Sequence, residues 1–365
     1  MGTDIRLAPP LGHRPPLDGV RALAVLLVAG VHTKPPLVPG GSIGVDVFFV
    51  LSGFLITTLL LEERDGNERI QFGRFYARRA LRLLPALLAL VAVVTLWAVV
   101  VASPGTRRDA LHEVLAAITY TRNLPVWDGT PGTLLGHTWS LAVEEQFYLL
   151  WPLVLTVLVK PRRGATTLAV LFVALAAVAG TLRVNGVAGP GLALVQRPEA
   201  LLLGAALALV RREHWDRVTG WVGDRGAALV VLGALGLVAT ALWDGADTID
   251  SVGFSLAAAL SVCLIAGLLL VGDGRPGAWF RHPAAMWLGR RSYGFYLWHM
   301  PVLRWVDDRL VGRSGAVRIP IGLGLALVAT IVSYRFVEQP ALRWKERFRP
   351  AQRVPAAVAL GPSAR

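Results

Sequence analysis

Residues 251–271 read SVGFSLAAALSVCLIAGLLLV and contain no charged side chain. A helix needs roughly 20 mainly apolar residues to cross the hydrocarbon core of a bilayer. Residues 166–184 and 226–243 are almost as apolar and consist mostly of Ala, Val, Leu and Gly. A helix that is apolar on every face has to be surrounded by other protein or by lipid. These stretches therefore predict an integral membrane protein.

The composition of the whole chain agrees with that prediction. Of its 365 residues, 54% are hydrophobic and only 17% are charged, whereas about 25% of residues are charged in an ordinary soluble domain. Ten stretches of sufficient length predict an all-α fold, a polytopic integral membrane bundle of about ten transmembrane helices. The predicted spans are residues 18–33, 43–61, 82–102, 138–159, 166–184, 190–210, 226–243, 251–271, 286–305 and 317–337.

The positions of the basic residues predict the orientation of the bundle. The net charge is +13, and most of the 37 Lys and Arg residues lie at the termini and in every second loop. Such loops stay on the cytoplasmic side, so we expect both termini to be cytoplasmic in a multi-pass protein of the cell membrane. Its surroundings are membrane lipids, and no nucleic-acid partner is expected. The predicted parts are a cytoplasmic N-terminal segment (1–17), a transmembrane domain (18–345) and a cytoplasmic tail (346–365).

Ionisable side chains inside a predicted span are candidate functional residues, because a charge is costly in hydrocarbon. Arg21 and His32 lie eleven residues apart in the first span, which places them on one helix face and roughly 16 Å apart along the axis. A fixed cation would then lie at one end of a passage and a titratable base at the other. The alternative is that Arg21 reaches lipid headgroups and His32 caps the helix.

The second span carries Asp46 near the predicted depth of His32. A carboxylate beside an imidazole fixes its tautomer and raises its basicity, so Asp46 is a candidate partner of His32. Ser52 and Gly53 are small enough to allow close helix packing. The alternative interpretation is a packing face that contains a buried, satisfied carboxylate.

A group of arginines follows the second span. Arg79 and Arg82 share one helix face, and Arg78 lies beside them. Clustered arginines suit phosphate groups, which they bind through paired hydrogen bonds. The alternative is that this group only anchors the protein at the cytoplasmic membrane surface.

The fourth span contains two adjacent carboxylates, Glu144 and Glu145, which packing alone does not explain. Side chains at adjacent helix positions point about 100° apart, so at least one of the two is expected to face a cavity. Tyr148 shares a face with Glu144. We interpret these three residues as candidates for a polar site inside the bundle.

The sixth and ninth spans supply three more candidates. Arg197 is expected at the outer end of the sixth span, and Trp298 and His299 lie toward the outer end of the ninth. Aromatic side chains near the membrane interface often serve only as anchors, so the sequence leaves both interpretations of this pair open.

These segments together resemble the membrane-bound acyltransferase 3 family, with a resemblance that runs from Pro16 to about Lys345. The resemblance implies ten core helices with inward termini. It also implies transfer of an acyl group, often acetyl, from cytoplasmic acyl-CoA to a hydroxyl of a sugar-containing acceptor or a natural product. The matching segments are Leu17–Ala22 with His32, Gly44–Phe54, Phe75–Arg82, Trp139–Tyr148 and Ser292–Pro301.

The resemblance also implies roles for single residues. The family pair that matches Arg21 and His32 is essential, and the arginines that match Arg79 and Arg82 are associated with acyl-CoA. The resulting hypothesis makes His32 the general base on the acceptor hydroxyl, and an acyl-histidine intermediate is a second route. The predicted catalytic group is His32, Asp46, Arg21 and Glu145. The predicted donor site is Arg78, Arg79, Arg82, Arg21 and Ser52. The predicted acceptor side is Glu144, Tyr148, Arg197, Trp298 and His299.

Two further expectations concern partners and alternatives. Many relatives carry an extra C-terminal hydrolase-like domain, and we expect the chain to lack it, so a separate extracytoplasmic protein could take its place. No metal is expected, because the histidines are scattered over different segments. The competing function is a transporter or flippase for a lipid-linked sugar. It also explains ionisable residues in a helical bundle, but it explains the arginine group less well.

Overall fold

The computed structural model describes residues 8–67, 69–127, 129–159, 164–185, 197–243 and 252–348. Every regular element in these ranges is an α-helix, a 3-10 helix or a π-helix, and none of them is a strand. A bilayer favours this outcome because a helix satisfies its backbone hydrogen bonds internally. The predicted all-α fold is confirmed for the described part of the chain.

The helices follow the predicted apolar segments in order. The first six are α1 (Pro15–Val31), α2 (Gly44–Asn67), α3 (Phe72–Val100), α4 (Pro104–Ile118), α5 (Trp139–Leu158) and α6 (Ala165–Val184). The next seven are α7 (Pro198–Val222), α8 (Gly226–Leu242), α9 (Phe254–Val271), α10 (Pro283–Arg290), α11 (Ser292–Arg309), α12 (Gly315–Ser333) and α13 (Gln339–Lys345). A π-helical turn (Tyr334–Glu338) joins α12 to α13.

Seven helical segments of the described ranges are long and apolar enough to cross a membrane. One of them, Pro198–Leu242, contains both α7 and α8 and so covers two of the ten predicted spans. Two other predicted spans fall outside the seven, because α1 has only 17 residues and α11 carries charged residues. The chain is a multi-pass membrane protein, while the count of ten crossings and the cytoplasmic termini remain predictions.

Several predicted bounds differ from the observed ones. The ninth span is divided between α10 and α11 at Arg291, whose guanidinium donates to the carbonyl of Trp287 at 3.1 Å. Helix α3 begins ten residues before the predicted span, at Phe72, so the arginine group lies inside a helix. Residues 190–196 of the sixth span and residue 251 of the eighth lie outside the described residues.

Ion pairs explain why α2 and α7 continue beyond their apolar runs. Arg212 of α7 forms a two-bond contact with Asp65 of α2, at 2.6 and 2.8 Å. Arg211 lies 3.6 Å from Glu62 of α2, and Glu62 also accepts the backbone N–H of Leu11 at 2.6 Å. Bidentate arginine–carboxylate pairs fix geometry as well as charge. The contact of Glu62 with Leu11 joins the segment before α1 to this end of the bundle.

Helices α2 and α7 approach each other so closely that both need glycine at the contact. A Cβ atom placed on Gly53 of α2 would lie 2.1 Å from the carbonyl oxygen of Leu201. One placed on Gly204 of α7 would lie 2.1 Å from the carbonyl oxygen of Val50. Small residues allow this approach, and van der Waals packing then stabilises the helix pair in lipid.

Replacing Gly204 by alanine should therefore destabilise the folded protein. The new methyl group would meet backbone atoms that cannot rotate away, and overpacking of this kind costs about 1–3 kcal/mol. We expect a lower midpoint of thermal unfolding in detergent. The matched control is Gly324→Ala in α12, where a Cβ atom meets nothing within 4 Å. A control that loses as much stability as Gly204→Ala would contradict the close-packing account.

The segment between α4 and α5 is folded against the bundle. The carboxylate of Glu113 in α4 is 0% exposed. It accepts the backbone N–H groups of Thr133 at 3.0 Å, Leu134 at 3.1 Å and Leu135 at 2.5 Å. A buried carboxylate with several backbone donors is well satisfied. This contact, which we call the Glu113 clamp, fixes the chain immediately before His137.

Candidate active site

Three histidines from distant parts of the chain lie together near the C-terminal end of α1. His32 caps α1, His137 lies in the 3-10 turn Gly136–Thr138 before α5, and His299 lies in α11. The ring centroids of His32 and His299 are 5.1 Å apart, and those of His137 and His299 are 5.2 Å apart. His137 is 3% exposed and His299 is 0% exposed, whereas His32 is half-buried. We call these three residues the histidine cluster.

The hydrogen bonds of the histidine cluster define its tautomers. His32 Nδ1 lies 2.8 Å from the Val28 carbonyl oxygen and 3.1 Å from His299 Nε2. His299 Nδ1 lies 2.6 Å from the Tyr296 carbonyl oxygen. Because a carbonyl oxygen only accepts, both Nδ1 atoms carry a hydrogen when the rings are neutral. His299 Nε2 then accepts from His32, and His32 Nε2 keeps a lone pair that can take a proton.

The structure corrects the prediction that Asp46 orients His32. Asp46 is 0% exposed, and its Oδ2 accepts from Nη1 of Arg197 at 3.2 Å. The Arg197 guanidinium also stacks on the ring of Phe254, 3.4 Å from its centroid. Asp46 therefore faces the start of α7, and His299 occupies the orienting place beside His32. Arg197, predicted on the acceptor side, is the counter-charge of a buried carboxylate.

Arg21 and His32 share one face of α1, as predicted, since both contact α11. Arg21 Nε donates to the hydroxyl of Ser292 at 3.1 Å, near the start of α11. His32 contacts His299, seven residues further along that helix. The two helices therefore lie side by side, with the cation at one end of the contact and the imidazole at the other.

Arg79 is bound inside the bundle. Its Nη2 donates to Oε1 of Glu145 at 2.9 Å, and its guanidinium lies 3.2 Å from the ring centroid of Tyr148. Both partners belong to α5. One member of the predicted arginine group, Arg79, thus pairs with one of the two predicted carboxylates, Glu145, between α3 and α5.

Arg82 differs from Arg79 because none of the described residues gives it a hydrogen bond or an ion pair. It lies on the helix face of Phe75 and Ala86, which are both buried, yet Arg82 itself is exposed. Arg21 and Arg79 are close enough to repel it electrostatically. Arg82 is therefore an exposed guanidinium that is available to an anion. We call Arg21, Arg79 and Arg82 the arginine cluster.

Glu144 lies beside the arginine cluster but has its own partners. Its Oε1 accepts from the hydroxyl of Tyr148 at 2.7 Å and from the hydroxyl of Ser52. Ser52 therefore contacts Glu144 of α5. It was predicted to be part of the donor site, and it lies next to that site. The two adjacent glutamates have different partners. Glu145 binds Arg79, and Glu144 joins α5 to Ser52 of α2.

Two predicted residues lie apart from both clusters. Arg78 donates to Glu63 at 3.1 Å and to the Phe348 carbonyl at 2.9 Å, so its guanidinium points away from Arg79 and Arg82. Trp298 borders an apolar cavity of about 390 Å³ between α3 and α12. Side chains at adjacent helix positions diverge by about 100°, which explains why Trp298 does not accompany its neighbour His299.

Sequence reasoning missed His137 as a member of the site. Its proximity to His299 depends on the path of residues 129–136 and on the Glu113 clamp, which no local pattern reveals. The available signal was its position two residues before Trp139, at the start of the segment that carries Glu144 and Glu145. No group of three or more His, Cys, Asp and Glu side chains in the described ranges has the arrangement of a metal site.

Comparison with known families gives one domain over most of the chain. Residues 15–336 match a family model described as an acyltransferase domain. The matched range contains every residue of the histidine and arginine clusters. No solved structure shows significant similarity to the chain.

Curated relatives with similar sequences carry O-acetyltransferase names. A provisionally named O-acetyltransferase of Staphylococcus aureus strain MRSA252 is 31% identical over 93% of this chain and 60% of the relative. The peptidoglycan O-acetyltransferase OatA of Listeria monocytogenes is 30% identical over 89% of this chain and 55% of its own length. The O-acetyltransferase OatA of Staphylococcus aureus strain NCTC 8325 is 31% identical, with shares of 90% and 57%. The chain thus spans less than two thirds of these relatives.

Proposed function

The chain belongs to the acyltransferase family that its domain matches, and on that premise we propose that it is a membrane O-acyltransferase. It moves an acetyl group from acetyl-CoA to a hydroxyl of a sugar-containing acceptor. The observation that carries the proposal is the pairing of two sites on α1. Arg21 lies near enough to Arg82 at one end for their charges to repel, and His32 offers a free Nε2 at the other.

The arginine cluster is the proposed donor site. Coenzyme A carries phosphate groups, and arginine binds phosphate through paired, charge-assisted hydrogen bonds. Arg82 is the strongest candidate because its guanidinium has no bond among the described residues to give up. Three cations that repel one another gain stability when an anion binds between them. The predicted entry of acetyl-CoA from the cytoplasm is part of this proposal.

The histidine cluster is the proposed site of acyl transfer. His32 Nε2 takes the proton of the acceptor hydroxyl while the oxygen bonds to the thioester carbon. The carbon–sulfur bond then breaks, and His32 returns the proton to the departing thiolate to give free coenzyme A. The Val28 carbonyl and His299 Nε2 both accept from His32 Nδ1, so they stabilise the imidazolium that forms in between. A base placed in this way contributes about 10²–10⁴-fold in rate.

The acceptor is proposed to be a sugar hydroxyl of the cell envelope. Support comes from the relative named a peptidoglycan O-acetyltransferase and from the free Nε2 of His32, which requires an acceptor that carries a proton to be removed.

A transfer assay with purified protein in liposomes tests this function. Acetyl-CoA labelled in the acetyl group is supplied with an oligosaccharide of β-1,4-linked N-acetylglucosamine as the acceptor. We expect labelled sugar whose label is released by mild alkali, as an ester requires. Absence of labelled ester together with movement of unmodified sugar across the bilayer would overturn the proposal in favour of a transporter.

A further inference from the structure

The proposed transfer assigns no role to His137. Its ring nevertheless makes fewer hydrogen bonds than those of His32 and His299. His137 is 3% exposed, and neither of its ring nitrogens has a hydrogen-bond partner. The backbone groups of Tyr296 and Leu297 lie near the ring, but neither meets the geometry of a hydrogen bond to it. Buried polar atoms in native proteins are almost always paired, so an orphaned imidazole indicates a missing ligand.

His137 lies close to His32, with the ring of His299 packed against both, so one ligand can contact His137 and His32 together. The His137 ring lies 5.2 Å from His299 and 5.2 Å from Tyr296, measured between ring centroids. His299 in turn lies 5.1 Å from His32. The two outer imidazoles of the cluster thus both pack against the ring of His299.

The backbone holds His137 in this place. The Tyr296 hydroxyl donates to the His137 carbonyl oxygen at 2.7 Å and bonds to Ser140 at 2.7 Å. The Thr138 hydroxyl donates to the Leu135 carbonyl at 2.7 Å, and the Glu113 clamp fixes the residues immediately before. A group held by so many supporting contacts is pre-organised for a ligand.

We propose that His137 is a second substrate-contacting imidazole, which hydrogen-bonds the acceptor hydroxyl that His32 deprotonates. This inference rests on the proposed function. A neutral imidazole offers one N–H donor, and a hydroxyl both donates and accepts. The acceptor hydroxyl donates to His32 Nε2 and accepts from a His137 N–H. His137 keeps its proton throughout, because His32 alone takes the hydroxyl proton and returns it to the leaving thiolate.

The acceptor class follows from this geometry. A hydroxyl oxygen fits between two imidazoles because it supplies one hydrogen and accepts another. A tertiary amine lacks the hydrogen that His32 has to take, and a thioether lacks both a hydrogen and a strong acceptor. The pair therefore suits an acceptor atom that both donates and accepts a hydrogen bond, as the oxygen of a sugar hydroxyl does.

The test is His137→Phe, which keeps an aromatic ring and removes both nitrogens. Since the structure gives those nitrogens no hydrogen bond, the variant loses none, and its thermal midpoint in detergent should equal or exceed that of wild type. We expect kcat/KM for the oligosaccharide acceptor to fall by about tenfold or more, as for a lost hydrogen bond to a reacting group. The KM for acetyl-CoA should not change.

Two further variants make the test decisive. His137→Gln keeps a side-chain N–H and should recover part of the lost kcat/KM. His112→Phe is the matched control, because His112 lies in α4 against Trp127, with 6.4 Å between ring centroids, and outside the histidine cluster. Its activity should equal that of wild type.

The outcomes separate the inference from the proposed function. Unchanged kcat/KM for the acceptor in His137→Phe would overturn the inference, and so would a lower thermal midpoint with full activity per folded molecule. If His137→Phe keeps full activity while His32→Ala is inactive, the proposed function still holds and only the role proposed for His137 is rejected. Full activity of His32→Ala would instead overturn the proposed base itself.

Discussion

Replacing His32 by alanine is expected to lower the rate of acyl transfer by about 10²–10⁴-fold, the contribution of a well-placed general base. Its Nε2 is the one nitrogen of the His32–His299 pair that keeps a lone pair, because Val28, Tyr296 and the contact between the rings engage the others. Initial rates of labelled acetyl incorporation in liposomes measure the effect.

The His32 variant should still fold, which separates chemistry from stability. His32 is half-buried, lies at the end of α1 and bonds mainly to Val28 of its own helix. The thermal midpoint and the yield of purified protein should therefore remain close to those of wild type. His112→Ala serves as the control, since that ring lies outside the cluster. An unchanged transfer rate in folded His32→Ala would remove His32 as the base.

Replacing Arg82 by glutamine is expected to raise the KM for acetyl-CoA by about 10–100-fold. A hydrogen bond to a charged group is worth about 1.5–3 kcal/mol, and each 1.4 kcal/mol is a factor of ten in affinity. The described residues give Arg82 no ion pair to lose, so the variant should keep its thermal midpoint. The KM for the sugar acceptor should remain the same, because the histidine cluster is unaltered.

Arg78→Gln provides a control on the same helix. Arg78 is bound to Glu63 and to the Phe348 carbonyl, so its loss should leave the KM for acetyl-CoA unchanged. Arg82→Lys keeps the charge but not the paired geometry, and we expect an intermediate KM. A KM for acetyl-CoA that stays at the wild-type value in both Arg78→Gln and Arg82→Gln would mean that these arginines only anchor the protein at the membrane surface.

The sequence predicts the fold class well because hydropathy reports directly on the solvent of a helix. Every predicted span coincides with a helix in its described part, including the apolar stretch that now forms α9. Composition alone does not reveal which helices are buried in the centre of the bundle. Helix α1 is short, yet it is buried on most of its surface and carries both Arg21 and His32. The structure also adds α10, which hydropathy merges with α11.

The site is predicted in part, and the misses share one cause. Spacing along α1 correctly places Arg21 and His32 on one face, and the Glu145–Arg79 pair joins two predicted groups. Sequence spacing does not predict which neighbouring helix a side chain contacts. Asp46 has the predicted place near the end of its helix but faces α7 and Arg197.

His137 shows a different limit. It reaches the histidine cluster because a buried carboxylate, Glu113, holds the residues just before it by backbone hydrogen bonds. Periodicity describes helices and strands, and it carries no information about a folded loop. A histidine that immediately precedes an intramembrane carboxylate motif is the pattern that would identify such a residue in a related chain.

A cryo-EM structure of the protein in lipid nanodiscs with a non-hydrolysable acetyl-CoA analogue measures the central arrangement directly. The account predicts nucleotide phosphates against Arg82 and Arg79, with the acyl end of the analogue extending along α1 toward His32 Nε2. Density for the nucleotide on another surface, with no open path between the arginine cluster and the imidazole, would contradict it.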